Sequence, residues 1–142
     1  MSAGTDVLVT YCDEGALLLQ CLESFFAGPE IPERIWVHDD ASLLPAEQVL
    51  QRWKQRERVR VLRSPVRLGD AGARNRLLEA SQAEYVHFHD ADDTVSPQWV
   101  GRVRAALAEQ GPDVLITDVR ILSQEGRVLS PSHYDLKGAR TV

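Results

Sequence analysis

The sequence predicts one α/β domain, built on a mostly parallel sheet flanked by helices. Three observations predict it. Short β-rich runs alternate with amphipathic stretches, the pattern of strands joined by crossover helices. The first run, "DVLVT", is continuously apolar and bounded by polar residues, which marks a buried strand. The chain has 142 residues, enough for one domain with a real core and too few for two ordinary ones. Together they describe a Rossmann-like sheet.

Each element follows in order. After "DVLVT", a helix over Glu14–Ala27 carries Leu17, Leu18, Cys21, Leu22, Phe25 and Phe26 at helical spacing, and Gly28-Pro29 stops it. "RIWVH" is the second strand and runs into Asp39-Asp40. A second helix over Ala46–Arg56 presents Val49, Leu50 and Trp53 inward. "RVRVLR" alternates, as a strand near a sheet edge does. A third helix over Gly69–Ala83 opens with the small residues of "LGDAGARN", and "EYVHFH" is the fourth strand. Ser96-Pro97 signals a helix start, serine as cap and proline in the first turn, with the helix running to about Gln110. Gly111-Pro112 ends it. "DVLITDV" then reads as a fifth strand and "ILSQEGRVLS" as a hairpin around Glu125-Gly126. The domain core spans 6–119, with the hairpin and an aperiodic tail, "PSHYDLKGARTV", over 120–142.

Composition narrows the partners. At 44% hydrophobic and 26% charged, the chain matches a soluble globular protein. No apolar run approaches the roughly 18 residues of a bilayer span, so the chain is not membrane-spanning. The start, "MSAGTDVLVTYCDEG", lacks the basic region and cleavage site of a signal peptide, and a cytoplasmic location is the expectation. A net charge of −5 argues against nucleic acid as a bulk partner. "QRWKQRERVRVLR" is basic, but it reads as the solvated face of a helix and a following strand. Cys12 and Cys21 lack a CxxC spacing and read as reduced thiols rather than zinc ligands.

The chemistry collects at strand ends. Tyr11 and Asp13 follow the first strand, Asp39 and Asp40 the second, and Asp90, Asp92 and Asp93 the fourth. Ligands of open α/β sheets bind outside the carboxyl ends of the strands, so three polar groups face one crevice. Any one of them alone is as readily a capping or turn aspartate. Three carboxylates separated by one alanine repel one another unless water or a cation lies among them. Oxygen ligands of this kind suit magnesium or manganese. On an extended segment Asp90 and Asp92 point the same way and can share one ion. His87 and His89 read as packing more readily than as ligands. "RLGDAGARNR" would let backbone approach an anion at a helix start, with Arg67, Arg74 and Arg76 adding charge. Tyr11 reads equally as a stacking platform or an interface aromatic.

Four colinear blocks, "VLVTYCDEGALLLQCLESF", "RIWVHDDAS", "RVRVLRSPVRLGDAGARNRLLEAS" and "AEYVHFHDADDTVSPQWV", resemble the nucleotide-sugar-binding half of glycosyltransferase family 2. The resemblance runs from about Val7 to Val119 and implies a GT-A fold, truncated here. It places Thr10 and Tyr11 against the nucleobase, the tyrosine ring packing on it. It matches Asp40 to the carboxylate that accepts the base's imide hydrogen, and sets Arg74 and Asn75 beside the nucleotide. Asp90-Ala91-Asp92 matches the DxD motif: Asp92 would bind a Mn2+ or Mg2+ bridging the diphosphate, and Asp90 would assist through the ribose or a metal-bound water. Cys12 and Ala41 replace the asparagine and glycine common in the family.

The implied partners are a nucleoside-diphosphate sugar, a UDP-sugar being the family's commonest choice, and a carbohydrate or glycolipid acceptor. The family's acceptor site and general base lie in a further segment, so no catalytic residue is assigned. Asp118 is the best substitute by position, with Glu125 and Asp135 the other late acids. This chain is thus expected to bind a donor with a metal, and to transfer inefficiently alone. The alternatives are a non-catalytic binding module and a receiver-like domain. The second expects its acidic pair after the first strand and a late lysine, and neither is placed so here.

Overall fold

The structure is a computed structural model and describes residues 4–132. Four strands form one parallel sheet: β1 (Thr5–Tyr11), β2 (Arg34–Asp40), β3 (Val59–Ser64) and β4 (Tyr85–Asp90). Their order is β3-β2-β1-β4, so β3 and β4 are the edges of this sheet. The chain winds outward from β1 to β3 and then crosses back to place β4 on the other flank. The switch point therefore lies between β1 and β4, with Thr10 paired to Asp90 and Tyr11 to Asp39.

Alternation along β1 divides the interior. Val7, Val9 and Tyr11 join one apolar cluster with Leu18, Cys21, Leu22 and Phe25 of α1 (Ala16–Phe25) and with Leu50 of α2 (Ala46–Leu50). Leu8 turns to the other face, which α3 (Gly69–Ala80) covers with the buried Ala73 and Leu77. There the buried Asp6 accepts hydrogen bonds from Trp36 Nε1 at 3.0 Å and Ser81 Oγ at 2.7 Å. The final helix, α4 (Trp99–Gln110), closes the β4 side, where Trp99 and Phe25 meet edge to face at 5.7 Å. The residue that caps its end, Gly111, takes the left-handed conformation that glycine permits (φ 50°), and its N–H bonds back to Leu107 O.

The helices and the fourth strand stand where the sequence puts them, with three differences. The second helix stops at Leu50 instead of Arg56. From there Trp53, Arg56 and Arg58 donate to carbonyls three residues back, a tighter winding, and Trp53 packs on Phe26 at 5.5 Å. The fourth helix begins at Trp99, and Ser96 contributes its carbonyl to Trp99 N rather than its hydroxyl as a cap. Residues 113–119 form no strand, and Val114 and Ile116 are exposed at 74% and 62%. An alternating run gains strand geometry only from a neighbour to pair with, and none of the described strands pairs with it. The hairpin is present as β5 (Ile121–Leu122) and β6 (Val128–Ser130), turning through Gly126 at φ 80°. The tail beyond Ser132 lies outside the described residues.

Gly28 sits in the turn after α1, against the loop that enters α4. A Cβ there would lie 1.8 Å from the Pro97 carbonyl oxygen and 2.8 Å from its carbon. Both are backbone atoms, so the loops must separate. Gly28→Ala is expected to destabilise the domain by about 1–3 kcal/mol, the range for forced overpacking. Urea unfolding checks it: a midpoint equal to the wild type's would show that the two loops can part freely.

Candidate functional site

Asp90 closes β4 and lies beside Thr10 across the switch point. Thr10 Oγ1 donates to its Oδ1 at 3.3 Å, and Arg74 Nη2, reaching from α3, donates to the same oxygen at 3.0 Å. The parallel ladder continues one residue further, through Ala91 N to Thr10 O at 3.1 Å, and Ala91 is buried. The chain then turns, closed by Asp93 N donating to Asp90 O at 3.1 Å. Asp90 and Asp92 therefore do not stand on an extended segment and do not share a face by alternation. Asp92 occupies the exposed tip of a turn, and among the described residues no donor reaches its carboxylate. Burial, followed by repulsion from Asp92 and Asp90, raises the Asp93 carboxyl above the ordinary range.

The second acidic pair is of another kind. Asp39 and Asp40 end β2 and are buried. Asp39 accepts from Ser42 N and Ala46 N, both at 2.9 Å, and pairs with Arg63 Nη1. Asp40 accepts at Oδ1 from Ser64 Oγ (3.1 Å) and Leu68 N (2.7 Å), and at Oδ2 from Gly69 N (2.9 Å). Burial opposes ionisation of both groups, yet the donors prevail and hold both below the ordinary carboxylate value. The amides that open α3, read from sequence as a seat for a ligand anion, are thus filled by Asp40. One acceptor direction remains on its Oδ2.

Tyr11 stands apart from its expected role. Its ring belongs to the apolar cluster, 1% exposed, and its hydroxyl donates to Leu44 O at 2.7 Å. It presents no face to a base and instead ties down the loop after β2. Asp13, at φ 70°, accepts from Leu44 N and from Arg67 Nη2, each at 3.0 Å, while its own N–H goes to Ser42 Oγ. Ala41 is also left-handed, at φ 55°, where the resemblance has glycine. Asn75 lies exposed on α3, and Arg76 pairs with Glu79 on the same helix.

The structure thus brings Thr10, Arg74 and Asp90 into contact, sets Asp92 two residues on at the tip of the turn, and places Asp40 at the end of β2, on the other side of β1. Sequence reasoning missed Ser42, Arg63 and Ser64, which fix the buried carboxylates. The signal for the two serines was their place just after a strand's acids or at a strand's end. Among the described residues no group of three or more His, Cys, Asp or Glu side chains is placed to hold a metal ion by itself. The donor set nevertheless fits a hard divalent cation. Such ions take one or two carboxylates and complete their shell with water and substrate phosphate, and Asp90 and Asp92 are oxygen donors in a turn with excess negative charge.

The four-stranded parallel sheet with an acidic turn at its switch point is an open α/β domain, and its likeness to the solved structures below places it in the GT-A fold class. The sequence profile described as "Glycosyl transferase family 2" matches residues 6–139, and the chain belongs to that family. No curated protein matches it in sequence. Among solved structures it is similar to TarS of S. aureus, with TM-score 0.72 and 22% identity over 85% of this chain and 23% of that one. A TarS 1–349 crystal structure in complex with UDP-GlcNAc gives TM-score 0.67 and 18% identity, over 87% of this chain and 41% of that one. The mannosyltransferase PcManGT from Pyrobaculum calidifontis, in complex with GDP-Man and Mn2+, gives TM-score 0.63 and 22% identity, over 75% of this chain and 32% of that one. The chain therefore spans less than half the length of each of these proteins. No helix among the described residues is long and apolar enough to cross a membrane.

The histidines beside the turn set an acid response. Burial, with the neighbouring His89, pushes the His87 imidazole from 6.5 down to about 4. Between those values the unfolded chain takes up a proton that the folded one refuses. Stability is therefore full above about pH 6.5 and falls as pH drops toward 4, by up to about 3 kcal/mol. Asp39 and Asp40 extend the loss below the ordinary carboxylate range. Urea unfolding at several pH values from 7.5 to 4.5 checks this, and a flat profile over that window would contradict it.

Proposed function

We propose that the chain is the donor-binding domain of a glycosyltransferase. It holds a nucleoside-diphosphate sugar with Mn2+ or Mg2+ at the carboxyl ends of β1, β2 and β4, for transfer of the glycosyl group to a hydroxyl of a carbohydrate or glycolipid acceptor. The observation that carries the reading is the cluster of Thr10, Arg74 and Asp90 at the switch point, with Asp92 exposed at its tip. The family match supports it, as do neighbours crystallised with UDP-GlcNAc, UDP or GDP-Man.

Each residue has a chemical part. Asp90 and Asp92 supply oxygen ligands, and a bound divalent cation would neutralise the diphosphate as it leaves. Arg74 adds a second positive charge beside the phosphates, and its Nε is buried without a hydrogen-bond partner, a donor still to be used. Thr10 fixes Asp90. Asp40 receives the imide N–H of the base through the acceptor position left on its Oδ2, which favours uracil over cytosine. Tyr11 acts from within the core, holding the loop that follows Asp40 through the Leu44 carbonyl. The UDP-sugar preference rests on the family likeness and on this carboxylate.

Calorimetry with UDP, GDP and dTDP, each with and without Mn2+, tests the proposal. UDP should bind with Mn2+ and lose most of its affinity in EDTA, because two phosphates beside Asp90 and Asp92 repel them without a cation between. Asp92→Asn should weaken Mn2+-dependent UDP binding by about tenfold or more, the scale of one charge-assisted contact. It should leave the thermal melt unchanged, since Asp92 bonds to nothing that holds the fold. Equal binding in EDTA, or an Asp92→Asn protein with wild-type affinity, would remove the metal from the reading.

A further inference from the structure

The two histidines of β4 form a chain of hydrogen bonds that ends on the acidic turn. His87 Nε2 lies 3.1 Å from His89 Nδ1, and His89 Nε2 lies 3.2 Å from the carbonyl oxygen of Asp93. A carbonyl only accepts, so His89 Nε2 carries the proton. In the neutral ring its Nδ1 is then the acceptor, and His87 must donate from Nε2. Both protons are fixed by the geometry. The rings are held in place by aromatic contacts: Phe25 meets His89 edge to face at 5.0 Å, and Trp99 lies against His87 at 4.4 Å.

An apolar pair of the same size would fill this space between α1, α4 and β4, so packing alone does not account for two imidazoles. The chain of donors has one outlet, the Asp93 peptide. The peptide on the other side of the Asp93 Cα closes the turn, the Asp93 N–H donating to Asp90 O at 3.1 Å. Asp90 O also lies 3.8 Å from Sγ of Cys21, a buried thiol that donates to it. Asp93 is thus held at both its N–H and its C=O, and the segment between, with Asp92 at its tip, has little freedom left.

We infer that His89, oriented by His87, is a positioning residue: it holds the Asp90–Asp93 turn so that the Asp90 and Asp92 carboxylates are presented together before any ligand arrives. The ligand it serves, a divalent cation on a nucleoside diphosphate, rests on the function proposed above. The relay within the protein does not. Preorganisation of this kind lowers the ordering cost of binding without touching the ligand.

Nitrogen-15 NMR of the metal-free protein tests the relay first. Both imidazoles should be the Nε2–H tautomer at neutral pH, and the Asp93 amide should exchange slowly. His89→Phe keeps the ring's size and removes the donor, so Asp93 amide exchange should rise about three- to tenfold, as for one lost hydrogen bond. His89→Gln, whose Nε2 can still reach the carbonyl, should restore most of the protection, and His87→Gln should fall between. The same series is then titrated with UDP and Mn2+. The dissociation constant is expected to rise by the same three- to tenfold in His89→Phe and to recover in His89→Gln. An Nδ1–H tautomer at His89, or Asp93 exchange as slow in His89→Phe as in the wild type, would overturn the inference. So would equal weakening by the Phe and Gln substitutions. If the relay is present and the wild-type protein binds no UDP with Mn2+, the proposed function fails and the positioning of the turn stands.

Discussion

Two buried carboxylates at the end of β2 carry the architecture. Removing an anion from water is costly unless donors replace the lost hydration. Asp39 and Asp40 together gather four backbone N–H groups, the Ser64 hydroxyl and the Arg63 guanidinium. Those donors come from the loop after β2, the first residue of α2, the end of β3 and the opening of α3. Neither helix has a capping side chain at its own N-cap position, Pro45 or Leu68. The aspartates supply the missing acceptors from a distance, and the helix dipoles favour the charge they bring. The carboxyl ends of the inner strands are thereby locked to the helices around them.

The acids of β4 show the opposite treatment. Asp90 receives Thr10 and Arg74, both at the surface, while Asp92 receives nothing among the described residues. The difference lies in how many donors the fold itself supplies to each cluster. A sequence shows two similar clusters, "HDDAS" and "HDADD". The structure shows that one is nearly filled, with a single acceptor position left on Asp40, and that the other is not.

That contrast marks how far the sequence could be read. Parallel strands and crossover helices were legible because burial on both faces leaves continuous apolar runs, and glycine with proline marks the stops. The convergence of Thr10, Arg74 and Asp90 followed from the strand ends and the family likeness. What was not legible depends on partners distant in the chain. The tyrosine that ends β1 could stack or be buried, and the carbonyl of Leu44, 33 residues on, decides for burial. The small residues opening α3 could receive a ligand anion, and Asp40, 28 or 29 residues back, fills that place. Residues 113–119 carry strand-forming side chains, but a strand also needs a neighbour's backbone. His87 and His89 read as packing one by one, since only their mutual distance makes them a relay.

The strand order has a kinetic meaning as well. β1, β2 and β3 form by successive short crossovers, each strand adding to the one before. β4 instead returns to β1 and pairs residues 80 positions apart, as in the contact of Thr10 with Asp90. Closing so long a loop carries an entropy cost that the pairing repays only once formed, and contacts of large separation slow folding. The switch point is therefore completed by the most distant pairing in the sheet. The half of the candidate site on β1 and β2 can exist while the acidic turn is still unplaced, and the constellation is complete only with β4.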